Sequence, residues 1–188
     1  MTWVQTVGKR AVDLLDPKPE QIDLEDIAWS LARQCRFNGH TILHYSVAEH
    51  SVLVSGILGR QKHSREVQLA GLLHDAAEAY LGDIVSPVKR CLSDKARAEL
   101  DGIDRTLSRV IYSKFGLDPN LVGMVVIRQA DLEILRRERD SFFPHQVRDW
   151  GIGNAVTKIP VNIQSHQPIY ARDVFIERAQ ELGLEVES

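Results

Sequence analysis

The sequence is poor in cysteine and contains no long apolar run. Its two cysteines, Cys35 and Cys91, are far apart and form no Cys-x-x-Cys pair, which excludes a thiolate zinc site and a disulfide framework. The most apolar run, residues 52–58, is interrupted by Ser55 and Gly56 and falls far short of the ~20 residues that cross a bilayer. No basic stretch followed by an apolar block opens the chain, so we expect neither a secretory signal nor a membrane protein, and a cytoplasmic location.

The charge is nearly balanced. Lys and Arg number 23 against 26 Asp and Glu, for a formal net charge of -3, which supplies no broad attraction for nucleic acid or anionic membranes. An anionic partner would therefore need a local site. With 188 residues, 44% of them apolar, the chain is expected to form one compact domain over residues 1–188. Its core would run from about residue 22 to 140, followed by a loop and a closing helix in 141–188.

Helical periodicity predicts an all-α fold. Asp23 is a suitable N-cap for a first helix in which Ile27, Leu31 and Cys35 recur at helical spacing. Ser46 and Glu49 have the form of a capping box, which predicts that a second helix begins just before His50. Further helices are predicted over residues 66–80, 93–115 and 168–182, with another beginning at residues 118–119 and continuing past 135. Residues 142–168 read as loop, with one short strand near 159–163.

Four residues on separate predicted helices form a candidate metal site. The pair His74-Asp75 alone says little, because a partly buried histidine usually hydrogen-bonds a backbone carbonyl. His50 opens another predicted helix, and Asp131 lies within the apolar residues 125–135, where an unpaired carboxylate would be costly. Two imidazoles and two carboxylates suit Mn²⁺, Co²⁺, Fe²⁺ or Zn²⁺.

Two further acids follow the His-Asp pair. Glu78 comes four residues after His74, so on a continuous helix its carboxylate would share a face with the pair and could orient a water molecule. Asp83 lies where the chain leaves that helix, as a candidate proton donor. The alternative is that Glu78 is a solvated helix residue and Asp83 a turn residue.

These residues resemble the HD-domain metal-dependent phosphohydrolases, a family with His, His-Asp and Asp on successive helices. Four blocks, residues 47–51, 73–78, 82–89 and 129–131, are similar to those of the small bacterial 5′-deoxynucleotidases and of small phage enzymes that remove triphosphate from dATP. The resemblance implies an HD-domain helical bundle with His50, His74, Asp75 and Asp131 as metal ligands. It also implies that Glu78 acts on the attacking water and Asp83 on the leaving oxygen.

The resemblance extends to candidate substrate-binding residues. The nucleotidases carry an Arg followed by an aromatic residue about one helix before the first metal histidine, and here Arg36 and Phe37 occupy that place. Arg36 would bind phosphate and Phe37 would pack on sugar or base, unless they are simply a helix-terminal arginine and a core aromatic. The nucleotidases have Trp where this chain has Phe37, which leaves the preference for base and sugar open. Lys89 is a weaker candidate for phosphate binding.

The spacing of histidines indicates one metal ion. HD proteins with two metals resemble one another in having further histidines between the His-Asp pair and the final Asp, whereas residues 76–130 contain none. We therefore expect a single divalent ion, Mn, Co, Zn, Fe or Mg.

The function expected from these features is nucleotide hydrolysis, most directly of a deoxynucleoside 5′-monophosphate to the deoxynucleoside and phosphate. Release of triphosphate from a dNTP is an alternative within the same class, and a non-catalytic, nucleotide-binding HD sensor is an alternative of another class. We expect no nucleic-acid or membrane partner, and we expect a homo-oligomer.

Overall fold

The computed structural model describes residues 1–185, so residues 186–188 of the expected domain lie outside the described part. Within it the chain forms one mostly helical unit. The helices are α1 (Leu24–Arg33), α2 (Val47–Arg60), α3 (Arg65–Leu72), α4 (Glu78–Leu81), α5 (Ser86–Cys91), α6 (Asp94–Lys114), α7 (Val125–Phe142) and α8 (Pro168–Glu181). A small antiparallel hairpin of β1 (Trp3–Gln5) and β2 (Ala11–Asp13) precedes them.

Helix α2 is the central element of the packing. It lies against α1, α3, α7 and α8, and its Val54, Ile57 and Leu58 are completely buried. Because α2 also carries His50 in its first turn, the most enclosed helix of the molecule positions one candidate ligand.

The helix starts predicted at Asp23 and Ser46 are confirmed. The Asp23 side chain accepts a hydrogen bond from the Asp26 amide at the start of α1. Ser46 and Glu49 form the reciprocal capping box at the start of α2. These interactions join residues three apart in the chain, so the sequence pattern alone reveals them.

The single helix predicted over residues 66–80 is wrong. Helix α3 ends at Leu72 and α4 begins at Glu78, so His74 and Asp75 lie in a turn. His74 Nδ1 lies 2.8 Å from the Gly71 carbonyl oxygen. In a continuous helix the Asp75 amide would donate to this same oxygen, so the His74 side chain replaces a helical hydrogen bond. Apolar periodicity did not reveal the break, because Ala76, Ala77 and Tyr80 stay buried on either side of it.

The predicted strand near residues 159–163 is also wrong, since no strand is formed there in the described chain. Arginines hold this segment through its carbonyl groups instead: Arg60 donates to Pro160, Arg137 to Thr157 and Arg139 to Gly153. The N-terminal hairpin was not predicted.

The helices predicted at 93–115 and 168–182 are confirmed within one residue at either end. The helix start predicted at residues 118–119 is wrong, because Asp118 caps only the short 3₁₀ turn Pro119–Leu121 and α7 begins at Val125. Among the described helices, none combines the length and apolar character required to cross a membrane.

Candidate metal centre

Three of the four predicted ligands converge where α2 meets the turn after α3. Asp75 Oδ2 lies 3.1 Å from His74 Nε2 and 3.7 Å from His50 Nε2. The ligand atoms of His50, His74 and Asp75 all lie within 4.8 Å of one another, so this group could hold a metal ion. The residues come from two separate elements, and packing alone brings them together.

Both imidazoles present a free nitrogen to the centre. His50 Nδ1 lies 2.7 Å from Glu138 Oε1, and His74 Nδ1 lies 2.8 Å from the Gly71 carbonyl oxygen. Because these partners are acceptors, each Nδ1 donates a proton, so Nε2 is the nitrogen that each ring turns toward the carboxylates, and it offers a lone pair to a cation once its own proton is lost. Both Nε2 atoms are buried without a hydrogen-bond partner. A buried imidazole nitrogen of this kind matches the requirement of a divalent cation.

Asp131, on α7, adjoins the same group but differs from the expectation. Its Oδ1 lies 3.1 Å from His50 Nε2. Asp131 is nevertheless not part of the group His50, His74 and Asp75, whose ligand atoms all lie within 4.8 Å of one another. The side chain is 39% exposed, so the argument that Asp131 is a costly buried carboxylate is wrong. Helix α7 places it at the open edge of the centre, where water reaches it.

Glu138 contacts His50 at Nδ1, the ring nitrogen that faces away from the other candidate ligands. This fully buried carboxylate lies beside His50 and accepts hydrogen bonds from the Tyr45 hydroxyl at 2.7 Å and from Arg36 Nη2 at 2.9 Å. Burial opposes its ionisation, but Arg36 and His50 outweigh burial and lower the pKa of Glu138 to about 2. A carboxylate bonded to the Nδ1 of a ligating histidine fixes the ring and increases its basicity as a ligand.

The electrostatics of the centre follow from its carboxylates. Burial and Arg36 disfavour a charged His50, yet Glu138 and Asp131 raise its pKa to about 9. Burial also disfavours a charged His74, but the neighbouring Asp75 carboxylate outweighs burial and raises the pKa of His74. Burial opposes ionisation of Asp75, but the imidazoles lower its pKa. The cluster therefore holds more negative charge than neutral imidazoles balance, and it favours a cation.

Glu78 and Asp83 lie beside the centre despite the break in the predicted helix. One Glu78 carboxylate oxygen is buried without a hydrogen-bond partner. Burial, with the nearby charges of Asp75 and Asp83, raises the pKa of Glu78 well above its usual value. Burial also raises the pKa of Asp83, against the opposing effect of Arg36.

Gln34, the C-cap residue of α1, holds the backbone that carries both acids. Its side-chain amide donates to the Glu78 carbonyl oxygen at 2.9 Å and accepts from the Asp83 amide at 2.9 Å. The same amide group therefore fixes the relative position of the two acids.

The candidate substrate residues lie around this centre. Arg36 directs Nε and Nη2 to Glu138, so the edge that would grip phosphate with two parallel hydrogen bonds is occupied, and Nη1 remains. Phe37 packs edge-on against Phe143 and Trp150 with ring centroids 5.2 and 5.9 Å away. Lys89, on α5, is close enough to act electrostatically on Glu78 and Asp83.

Sequence reasoning missed three residues of the site: Glu138, Tyr45 and Gln34. Glu138 had one usable signal, since it follows Asp131 by two helical turns on α7 and therefore lies on the same face. Tyr45 and Gln34 had none, because their roles depend on partners distant in the chain.

The chain is similar over most of its length to proteins of two bacteria. The uncharacterized protein YfdR of Escherichia coli is 35% identical over 184 residues, which is 97% of this chain and 97% of that protein. An uncharacterized protein of Rhodobacter capsulatus is 41% identical over 145 residues, or 74% of this chain and 72% of that protein. No family model matches the chain.

Proposed function

We propose that this chain, which belongs to the same family as YfdR of Escherichia coli, is a metal-dependent phosphohydrolase of the HD type that acts on nucleotides. The observation that carries the proposal is the pair of buried, unpartnered Nε2 atoms of His50 and His74 beside Asp75. The most direct substrate is a deoxynucleoside 5′-monophosphate, as the resemblance implies. The products are the deoxynucleoside and phosphate.

His50, His74 and Asp75 would hold one divalent ion, with Asp131 as the fourth ligand. The donor set of imidazole nitrogens and carboxylate oxygens fits Mn²⁺, Co²⁺, Fe²⁺, Zn²⁺ or Mg²⁺. When bound, such an ion stabilises negative charge on a phosphate ester and makes water a better nucleophile at neutral pH.

Glu78 and Asp83 supply the proton chemistry in this proposal. Glu78 has a buried carboxylate oxygen that no protein group occupies, and it accepts a hydrogen bond from the attacking water and orients it. Asp83 donates a proton to the departing ester oxygen.

Arg36, Lys89 and Phe37 bind the rest of the substrate. Arg36 is anchored to Glu138, so its guanidinium is fixed before substrate arrives and offers Nη1 to a phosphate oxygen. Lys89 adds positive charge on the side of Glu78 and Asp83. Phe37, with Phe143 and Trp150, offers aromatic surface to the sugar or base.

The test is product analysis with purified protein, Mn²⁺ or Co²⁺, and a panel of deoxynucleoside mono- and triphosphates. We expect phosphate release from monophosphates and at least a ~100-fold loss in Asp75→Asn, since the variant keeps the size but removes the charge. Asp94→Asn is the matched control, because Asp94 is an exposed carboxylate on α6.

The outcomes separate the candidate functions. If the protein releases triphosphate from a dNTP and does not act on monophosphates, it is a dNTP triphosphohydrolase rather than a nucleotidase. Absence of any phosphate, pyrophosphate or triphosphate release by folded, metal-loaded protein would contradict the proposal and favour a nucleotide-binding sensor.

A further inference from the structure

A second concave site lies between α6 and α7. It is a cavity of about 420 Å³, within the range of small-molecule sites. Its charged lining comes from α6 and the first turn of α7, and its remaining wall is formed by the turn between these helices. The charged lining residues are Asp101, Asp104, Arg105, Arg109 and Arg128.

Three arginines, Arg105, Arg109 and Arg128, define what we call the arginine pocket. Arg105 and Arg109 are one turn apart on α6, and Arg128 faces the same cavity from α7. The ion pairs that α6 makes within residues 1–185 belong to other side chains, Lys95–Glu99 and Arg97–Asp94. Like charges one turn apart destabilise a helix slightly, and none of the three arginines forms an ion pair within residues 1–185, although Asp101 and Asp104 line the same cavity.

The start of α7 adds positive potential to the pocket. The helix has 18 residues, no side-chain cap and no acidic residue in its first turn. Arg128 lies in that turn, at the positive end of the helix dipole, where a cation is unfavourable and an anion is favoured. This placement is slightly unfavourable, and an anion in the pocket would offset it.

The two carboxylates of the lining lie toward the metal centre. Asp101 and Asp104 also line a small neighbouring pocket that contains Glu78 and Lys89, so they separate the arginine pocket from the candidate catalytic acids. Burial raises the pKa of Asp104. The positive side chains outnumber the negative ones in the cavity, although the whole chain has a formal net charge of -3.

We propose that the arginine pocket binds phosphate-bearing anions at a site separate from the metal centre. Guanidinium groups match phosphate oxygens in charge and hydrogen-bond geometry, and three of them can share one pyrophosphate. The ligand is either free inorganic phosphate or pyrophosphate, or the phosphate chain of a nucleotide. The inference does not depend on the proposed hydrolase activity.

The experiment is calorimetric titration of the full chain with pyrophosphate and, in a second arm, with dATP, in excess chelator so that no divalent ion contributes. We expect binding by the wild type and an affinity about tenfold weaker in each of Arg105→Gln, Arg109→Gln and Arg128→Gln. Arg97→Gln, on α6 but outside the cavity, should bind as the wild type does. His74→Ala and Asp131→Asn, in the metal centre, should retain binding as well.

Comparison of the arms identifies the source of the phosphate. Equal affinity for pyrophosphate and dATP, or tighter binding of dATP, supports the proposal as long as the arginine substitutions weaken it. The proposal is overturned if folded wild-type protein binds neither anion, if the three arginine variants bind as tightly as Arg97→Gln, or if the metal-centre variants abolish binding. Since hydrolysis is not measured, failure here is distinguishable from failure of the proposed function.

Discussion

Glu138 joins the candidate metal ligand His50 to Arg36 and Tyr45 through a single buried carboxylate. His50 and Glu138 are 88 positions apart, and Arg36 and Glu138 are 102 apart. A buried carboxylate remains ionised only when cationic groups pair with it, and here the Arg36 guanidinium and the His50 imidazole do so. The same pairing sets the orientation of His50, so we expect Glu138 to contribute to both stability and metal binding.

Replacing Glu138 with Gln should weaken metal binding. The amide keeps the shape but loses the charge that makes His50 a better ligand, so we expect a 10- to 100-fold lower affinity for Mn²⁺ or Co²⁺, as is usual when such a partner is lost (about 1–3 kcal/mol). Competition with a chromophoric chelator measures this. Glu99→Gln, at an exposed position on α6, is the control. Equal affinities in the two variants would show that Glu138 does not act on the metal centre.

Gln34 holds the backbone of the two candidate catalytic acids in place, as Glu138 holds the His50 ring. Substitution with Ala removes the acceptor of the Asp83 amide and the donor to the Glu78 carbonyl oxygen. We expect the Asp83 amide to exchange its hydrogen at least about tenfold faster, with metal affinity changed by less than about twofold. Gln129→Ala, at an exposed position, serves for comparison. Unchanged exchange at Asp83 would rule out this role for Gln34.

The segment 144–167 depends on α7 for its position, although it contains no helix or strand. Buried Glu133 accepts hydrogen bonds from the Val156 and Thr157 amides at 2.9 and 3.1 Å. Arg136 donates to the Ile152 carbonyl oxygen at 2.7 Å. Because Trp150 of this segment contacts Phe37, the interactions also shape the aromatic surface beside Arg36.

Glu133→Ala should release this segment. The Val156 and Thr157 amides lose their acceptor, at a cost of about 1 kcal/mol each, so limited proteolysis should cut within residues 144–167 several-fold faster. Glu99→Ala removes an exposed glutamate and should leave the cleavage rate unchanged. If cleavage in both variants follows the wild type, other contacts hold the segment.

The metal centre links elements that are separate in the chain. Its candidate ligands come from α2, from the turn after α3 and from α7, so a bound ion would connect three parts of the molecule. A ligand that binds only the folded state stabilises it in proportion to the logarithm of its concentration over its dissociation constant.

Saturating Mn²⁺ or Co²⁺ should therefore raise the midpoint of thermal unfolding. At a concentration of 100 dissociation constants the gain is about 2.7 kcal/mol, or about 5–10 °C for a domain of this size. His74→Ala should abolish the increase, whereas His63→Ala should retain it because His63 lies outside the metal centre. A similar increase in the two variants would mean that the ions act elsewhere on the molecule.

Local sequence determined the helical character of the chain, most helix starts and the order of the candidate ligands. Caps at Asp23 and Ser46 join residues three positions apart, and apolar periodicity repeats within a single helix, so both are readable without the fold. The break after Leu72 could not be predicted from the sequence pattern. The His74 side chain binds the Gly71 carbonyl group there, while the apolar pattern continues on either side.

Tertiary structure alone decided which groups surround those ligands. The exposure of Asp131, the contact of Glu138 with His50, and the meeting of Arg105, Arg109 and Arg128 around one cavity depend on how α2, α6 and α7 pack. Such contacts join residues far apart in the chain, and no short-range pattern specifies them, since the packing of many side chains together sets their distances.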